Sequence, residues 1–153
     1  MSRTSGPEPL HALRFHSHAY FDCAVPERVE QARAFRELIR REFAADDRLE
    51  VRAFHAAPAG PHPLGSFEVL FAHQAFADYV CWLMFARPQG ISILVHPLTG
   101  WQLLDHTARA LWLGDPLPLD RRMLEEEDAR RLARGAQPRL SSTRSTISPD
   151  SPR

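Results

Sequence analysis

The sequence has no lysine, only two cysteines and no long apolar run. All 19 basic residues of the 153-residue chain are arginine, which excludes a Schiff-base or other lysine-dependent mechanism. Cys23 and Cys81 lie far apart and form no CxxC pair, so neither a disulfide framework nor a cysteine-bound zinc is indicated. No apolar segment reaches the roughly 18 residues that a membrane-spanning helix needs, and no membrane partner is expected.

An excess of charge of one sign is also absent. The 19 arginines balance 19 acidic residues, which gives no general case for nucleic acid or anionic membranes as partners. Residues 1–14 lack the apolar segment of a secretory signal, so a cytoplasmic protein is expected. The sequence contains no GxGxxG, GxxxxGK[ST], GxSxG or HExxH motif, and dinucleotide, P-loop, serine-hydrolase and zincin functions therefore have no support.

Strand and helix patterns alternate along most of the chain. Strands are predicted at residues 13–22, 48–55, 66–72 and 90–97, and helices at 26–45 and 74–88. This β-α-β-β-α-β order predicts a ferredoxin-like α+β fold, an antiparallel sheet with both helices on one face. A short helix starting near Asp105, a fair N-cap residue, is expected next.

Four regions are expected in the chain. They are a flexible N-terminus (1–12), an α+β domain (13–120), a charged helix (121–135) and a disordered tail rich in proline, serine and arginine (136–153).

The first strand, "RFHSHAYFD", carries unusual chemistry on one side. Because alternate residues of a strand point to the same face, His16, His18 and Tyr20 share a face, and Phe15 and Phe21 take the other. If the more apolar set packs against the helices, the opposite face carries His16, His18, Tyr20, Glu68, Leu70, Ser92 and His96. A face that still contains leucine needs a cover, either a second subunit or a C-terminal segment.

Five of the eight histidines lie in distinctive settings. They are His16, His18, His62, His96 and His106. Neutral imidazole suits iron, zinc and copper, and an HxH pair on a strand offers two ligands on one side. The alternative is that each is a separate surface or hydrogen-bonded histidine. Glu68 either completes a two-histidine-one-carboxylate site or forms a salt bridge, and Asp22 and Asp105 either orient imidazoles or serve capping and turn roles.

Four ordered blocks, "FHSHAYFD", "AGPHPLGSFEVLF", "ISILVHPLTG" and "DHTARALWLGDPLPLD", resemble the DOPA 4,5-dioxygenase family, the fungal and bacterial ring-opening type, from about Leu13 to Asp120. The resemblance implies extradiol cleavage of a catechol, such as DOPA, by O₂ at a non-haem Fe(II), with zinc as a metal that the isolated protein could carry. It also implies a ferredoxin-like fold paired as a homodimeric α+β barrel.

The same resemblance implies roles for individual residues. His18, His62 and His96 would ligate the iron, and His16 and His106 would act as acid/base groups or contact the catechol, although His16 could replace any of the three ligands. Tyr20, Glu68 and Trp112 are the candidates for substrate binding, chosen from the residues themselves and not from the resemblance. The alternatives are that Tyr20 only packs within its strand and that Trp112 only anchors the C-terminal segment. Two other functions stay open on the residues alone. One is a non-catalytic dimeric barrel that binds a metal or an aromatic ligand, and the other is an interaction module that uses the charged segment "RRMLEEEDARRLARG".

Overall fold

A five-stranded antiparallel sheet organises the chain in this computed structural model, which describes residues 13–136. The elements are β1 (Arg14–Phe21), α1 (Pro26–Glu42), β2 (Leu49–His55), β3 (Gly65–Ala72), α2 (Phe76–Ala86), β4 (Ser92–Pro97), α3 (Gln102–His106), β5 (Leu111–Leu113) and α4 (Arg121–Ala133). The strands lie in the order β2-β3-β1-β4-β5. The predicted α+β class and antiparallel sheet are confirmed, and β5 is a strand that the sequence patterns did not predict.

The apolar face of the sheet forms the main core with α1 and α2. Helix α1 begins at Pro26, whose fixed φ suits the first helical turn, and buries Phe35 and Ile39. Helix α2 buries Tyr79 and Leu83. Their strand partners are the buried residues Ala19, Phe21, Phe67, Val69, Phe71, Ile93 and Val95. Alternation along each strand thus sends its apolar set to the helices, as the sequence predicts.

The opposite face, called here the histidine face, is covered by the chain that follows β4. Tyr20, Leu70 and Leu94 lie on this face and are all buried. The Trp112 ring stacks on Tyr20 with centroids 5.8 Å apart, and helix α3 brings His106 over the sheet. The C-terminal segment, one of the two covers considered from the sequence, thus covers this face.

Helix α3 begins at Gln102, so the prediction that it starts near Asp105 was wrong. Asp105 lies inside the helix and is buried, where its carboxylate accepts hydrogen bonds from the backbone N–H (2.8 Å) and hydroxyl (2.7 Å) of Thr99. Arg109 completes its contacts at 3.1 Å. The side chain that caps α3 is that of Asp128, which accepts hydrogen bonds from the backbone N–H groups of Gln102 and Leu103. Asp128 lies on α4, too far along the sequence for a local capping pattern to reveal it.

Helix α4 has its own cap, because Asp120 accepts hydrogen bonds from the backbone N–H groups of Arg122 and Met123. The predicted flexible N-terminus (1–12) and all but the first residue of the predicted tail (136–153) lie outside the described residues. Among residues 13–136, no helix has the length and apolar character to cross a membrane.

Candidate metal centre

Strand register places the first histidines together. In the antiparallel pairing of β1 with β4, His16 lies opposite His96, and in the pairing of β1 with β3, His18 lies opposite Glu68. Directly opposite residues point to the same face of the sheet, so their side chains converge on the histidine face. The predicted association of His16, His18 and His96 is therefore present.

His62 and His106 reach this face from outside the sheet. His62 sits in the loop between β2 and β3, where its backbone N–H donates to Ala59 O at 3.1 Å across a turn that contains Gly60 at φ +56°. The same loop is tied to the C-terminal segment because Asp120 N–H donates to Pro61 O at 2.9 Å. His106 ends α3. From the sequence, the place of His62 in a rigid proline-rich loop next to the sheet already associated it with the sheet histidines, whereas His106 was associated with them through the resemblance.

The five imidazoles form one cluster, the histidine cluster. His18 lies at its centre, with its ring centroid 4.4 Å from that of His62, 5.2 Å from that of His96 and 6.0 Å from that of His106. The centroids of His96 and His106 are 3.9 Å apart. Two sets of three have ligand atoms within 4.8 Å of one another: His16, His18 and His96, and His18, His62 and His106. Each set contains only two of the three ligands chosen from the sequence.

Backbone carbonyls determine where two of the imidazoles hold their protons. His96 Nδ1 lies 2.9 Å from Pro97 O, and His106 Nδ1 lies 2.8 Å from Gln102 O. A carbonyl only accepts, so both Nδ1 atoms are protonated, and the neutral rings carry a lone pair on Nε2. Metal-binding histidines usually have this arrangement, with the second nitrogen bonded to a carbonyl or carboxylate.

His62 has the opposite arrangement. The Tyr20 hydroxyl lies 2.7 Å from His62 Nδ1 and has no other acceptor among the described residues. Burial raises the pKa of Tyr20, so the phenol keeps its proton and donates it to Nδ1. Neutral His62 therefore carries its own proton on Nε2. The histidine cluster thus combines Nε2 acceptors with an Nε2 donor.

Burial keeps the histidine cluster uncharged near neutral pH. Desolvation holds the pKa of His18 and His96 well below the usual value, and their side chains belong to residues only 5% and 1% exposed. Burial also lowers the pKa of His106, with neighbouring carboxylates acting in the other direction. The pKa of His62 falls to about 4, mainly through burial. Neutral imidazole is the form that binds a metal ion.

His16 and Glu68 form the more open side of the cluster. Burial, followed by the positive charges of Arg52 and other neighbours, lowers the pKa of His16 to about 4. Glu68 Oε1 lies 3.3 Å from His16 Nε2 without the geometry of a hydrogen bond, and Oε2 lies 3.9 Å from His18 Nδ1. Burial raises the pKa of Glu68, and Arg52 acts against that shift. Glu68 belongs to neither three-histidine set.

Two observations test whether a metal ion fits. His16 Nε2 is a buried nitrogen with no hydrogen-bond partner in the described part of the chain, which is the condition of a ligand atom without its ion. His18 Nε2 and His96 Nε2 are 3.1 Å apart. Two nitrogens bound at about 2.1 Å to one ion, at right angles, would lie about 3.0 Å apart. The cluster could hold a metal ion, and its nitrogen ligands are compatible with iron, zinc or copper.

The remaining residues predicted to form the site divide into two groups. Tyr20 and Trp112 stack at the edge of the cluster, and Glu68 contacts it. Asp22 instead accepts a hydrogen bond from Ala24 N–H, and Asp105 bonds Thr99, so neither makes a hydrogen bond to an imidazole. Asp22 therefore has the turn role that was the alternative, whereas Asp105 has neither the capping role nor a hydrogen bond to an imidazole of the cluster.

Comparison with known proteins identifies relatives of the chain. A family model described as "Dopa 4,5-dioxygenase family" matches residues 15–123. An uncharacterized 21.2 kDa protein of Botryotinia fuckeliana is 41% identical over 69% of this chain and 60% of its own length. A DOPA 4,5-dioxygenase of Amanita muscaria is 34% identical over 69% of this chain and 47% of its own length. The chain thus spans only about half to three-fifths of these two relatives.

A solved structure agrees with these matches. The crystal structure of a "putative dioxygenase" from Nostoc punctiforme superimposes with a TM-score of 0.64 at 34% identity, covering 79% of this chain and 98% of that one. The matched range contains all five histidines of the cluster. The chain belongs to the Dopa 4,5-dioxygenase family.

Proposed function

We propose that this protein is a non-haem Fe(II) dioxygenase that opens the ring of a catechol, such as DOPA, by extradiol cleavage with O₂. The observation that carries the proposal is the histidine cluster itself, in which five neutral imidazoles converge with mixed proton positions. A purely structural group of histidines gains nothing from leaving His16 Nε2 buried and unpaired. Family membership supports the class of reaction.

His16, His18 and His96 are proposed to hold the iron. The set implied by the resemblance had His62 in place of His16, and that set stays a prediction. The hydrogen bonds favour His16, because its Nε2 has no partner, whereas His62 Nε2 carries a proton while Tyr20 donates to Nδ1. His96 presents its Nε2 lone pair because Pro97 O accepts from Nδ1. Zinc is a second metal that these ligands would accept.

The other two histidines are proposed to move protons. When bound, Fe(II) supplies the redox chemistry that lets a catechol and O₂ react at one site. His106 Nε2, with its lone pair, accepts a proton from a catechol hydroxyl. His62 Nε2 donates a proton as the ring opens, and the Tyr20 hydroxyl orients its ring from the far side. Trp112, stacked on Tyr20, excludes water from that end.

Anaerobic reconstitution with Fe(II), followed by air and a panel of catechols that includes DOPA, tests the proposal. We expect O₂ uptake and a yellow ring-opened product, both lost in His18→Ala and His96→Ala. His73→Ala is the matched control, because His73 is an exposed histidine outside the cluster, and it should keep the activity. The proposal fails if iron loads fully and no catechol consumes O₂. Metal binding without O₂ uptake would instead favour a non-catalytic metal-binding or aromatic-ligand-binding protein.

A homodimer and a cytoplasmic location complete the proposal, and both stay predictions from the sequence and the resemblance. Sedimentation of the purified protein would measure the first, with a doubled mass as the expected result. Fractionation of the producing cells would measure the second.

A further inference from the structure

A cavity of about 380 Å³ opens beside His16, on the more open side of the histidine cluster. Its wall is built from distant parts of the chain: Arg14 and His16 from β1, Arg52 from β2, Gln102 from α3 and Arg131 from α4. The cavity therefore adjoins a proposed iron ligand directly. Its volume lies near the small end of ordinary ligand pockets, which favours a small occupant.

The wall of this cavity is strongly cationic. Three arginines line it, and no aspartate or glutamate does. Arg52 is neutralised by Glu50 at 3.2 Å and Glu68 at 3.4 Å. Arg14 and Arg131 make no ion pair with any residue in the range 13–136. Two guanidinium groups thus face a cavity without an anionic partner from the described chain.

A second cavity, beside His106, differs in character. It has about 330 Å³ and lies against His106, with Trp112, Leu117 and Leu119 in its wall and Arg121 as its arginine. This apolar side suits an aromatic or aliphatic surface, whereas the His16 side suits an anion. The chain therefore separates the apolar and cationic surfaces around one cluster.

We infer that the arginine-lined cavity binds the carboxylate of the substrate, so that the enzyme acts on catechols with a short acidic side chain. This inference rests on the proposed function. A guanidinium binds a carboxylate through two parallel hydrogen bonds, which would orient the side chain at Arg14 or Arg131 and the ring toward His16. A side-chain ammonium would lie beside two guanidinium groups that are unpaired within the described residues, with no aspartate or glutamate in the lining of the cavity. Anionic catechols should therefore be preferred over zwitterionic DOPA and over cationic dopamine.

Four substrates with the same ring test this order: 3,4-dihydroxyphenylacetate, 4-methylcatechol, DOPA and dopamine. We expect kcat/KM for the acid to exceed that for 4-methylcatechol by about 10- to 100-fold, the range of a charged hydrogen bond. Arg131→Gln and Arg14→Gln should each reduce this ratio by about tenfold, through KM. Arg122→Gln, on the exposed face of α4 and paired with Glu126, is the matched control and should leave the ratio unchanged. Equal kcat/KM values for the four substrates would overturn the inference, as would a ratio that falls in Arg121→Gln and not in Arg131→Gln.

A binding experiment separates this inference from the proposed function. Phenylacetate and phenethylamine cannot undergo ring opening, so NMR-monitored titration of each into the metal-free protein measures the cavity without turnover. We expect phenylacetate to bind more tightly, and the Arg14→Gln/Arg131→Gln double variant to lose about tenfold in affinity. Arginine-dependent binding without any catechol turnover would support the cavity assignment while the proposed reaction fails. Turnover of catechols with no preference for phenylacetate in this titration would leave the reaction standing and reject the cavity assignment.

Discussion

The two faces of the sheet are built from the same strands, but one is packed through apolar contacts and the other buries polar side chains. On the helix side, Phe67, Phe71 and Ile93 pack with α1 and α2 in a continuous apolar core. On the other side, His18, Tyr20 and His96 are as deeply buried as those apolar residues but are polar. Burial on the first face stabilises the fold, whereas burial of an imidazole costs free energy unless a partner satisfies it. The first face thus serves stability, and the second is the face on which we propose that a ligand binds.

The largest effect on stability is expected from removing a buried ring of the apolar face. Phe71→Ala removes a fully buried ring that contacts the rings of Phe15, Phe76 and Tyr79. We expect the free energy of unfolding to fall by about 3–5 kcal/mol, measured by urea denaturation. Phe85→Ala is the matched control, because this ring is 92% exposed, and should change stability by less than about 0.5 kcal/mol. A loss below about 1 kcal/mol in Phe71→Ala would contradict the assignment of this face as the core.

The next largest effect is expected on metal binding, from removing one imidazole of the histidine face while the apolar core stays intact. His18 lies at the centre of the cluster and belongs to both three-histidine sets. His18→Ala should weaken metal binding at least about 100-fold, since even partners outside the ligand shell contribute 10- to 100-fold. Competition with a coloured chelator measures the affinity, and the rise in melting temperature on adding Zn(II) or anaerobic Fe(II) checks it. Unchanged affinity in His18→Ala, with His73→Ala as the control, would place any metal elsewhere.

The stability of the metal-free protein as a function of pH tests whether burial keeps the imidazoles of the histidine face neutral. Burial lowers the folded-state pKa of His16 and of His62 to about 4, below the value near 6.5 of an unfolded chain. Between these values the unfolded state binds more protons, so stability falls as the pH drops from 6.5 toward 4. The expected slope is on the order of 1 kcal/mol per pH unit for each such imidazole. Urea denaturation at several pH values measures it. His62→Gln should have a shallower slope, and an identical slope would show that the His62 pKa is not lowered.

The smallest expected effect concerns a polar pair within the apolar face. Ser17 Oγ and Tyr79 Oη lie 2.9 Å apart between β1 and α2. Tyr79→Phe removes this hydrogen bond and keeps the ring, so the free energy of unfolding should fall by about 1 kcal/mol. Thermal denaturation of Tyr79→Phe beside the Ser17→Ala/Tyr79→Phe double variant measures the loss. A double variant more stable than Tyr79→Phe would indicate that the unpaired hydroxyl, rather than the lost bond, is the cost.

Much of the fold could be predicted from the sequence because alternation and helical spacing are local. The strand that begins at Arg14 and the helix that begins at Pro26 follow from period-two and 3.6-residue patterns. The sequence missed β5, which has only three residues, and misplaced the start of α3. Short elements bury too few residues for a periodic pattern to identify them. Their positions depend on contacts with distant parts of the chain.

The candidate site, like the fold, could be predicted only in part from the sequence. The sequence identified the histidines, and alternation assigned His16, His18 and His96 to one face. It did not reveal that Tyr20 donates to His62 or that Pro97 O accepts from His96, because both hydrogen bonds depend on ring orientation. Arg14 and Arg131 were also missed as possible site residues. Nineteen arginines spread along the chain offer no pattern that distinguishes these two.

The sequence by itself determined which side chains face each side of the sheet, since the direction of a side chain in a strand depends only on its position in the alternation. The tertiary structure alone decided which of them meet. The antiparallel register places His16 beside His96, the loop after β2 places His62 beside His18, and α3 places His106 against His96 in the same cluster. The proton positions and the cationic cavity follow from these contacts. Hydrogen bonds and electrostatic interactions act over a few ångströms of space, whatever the separation of the residues along the chain.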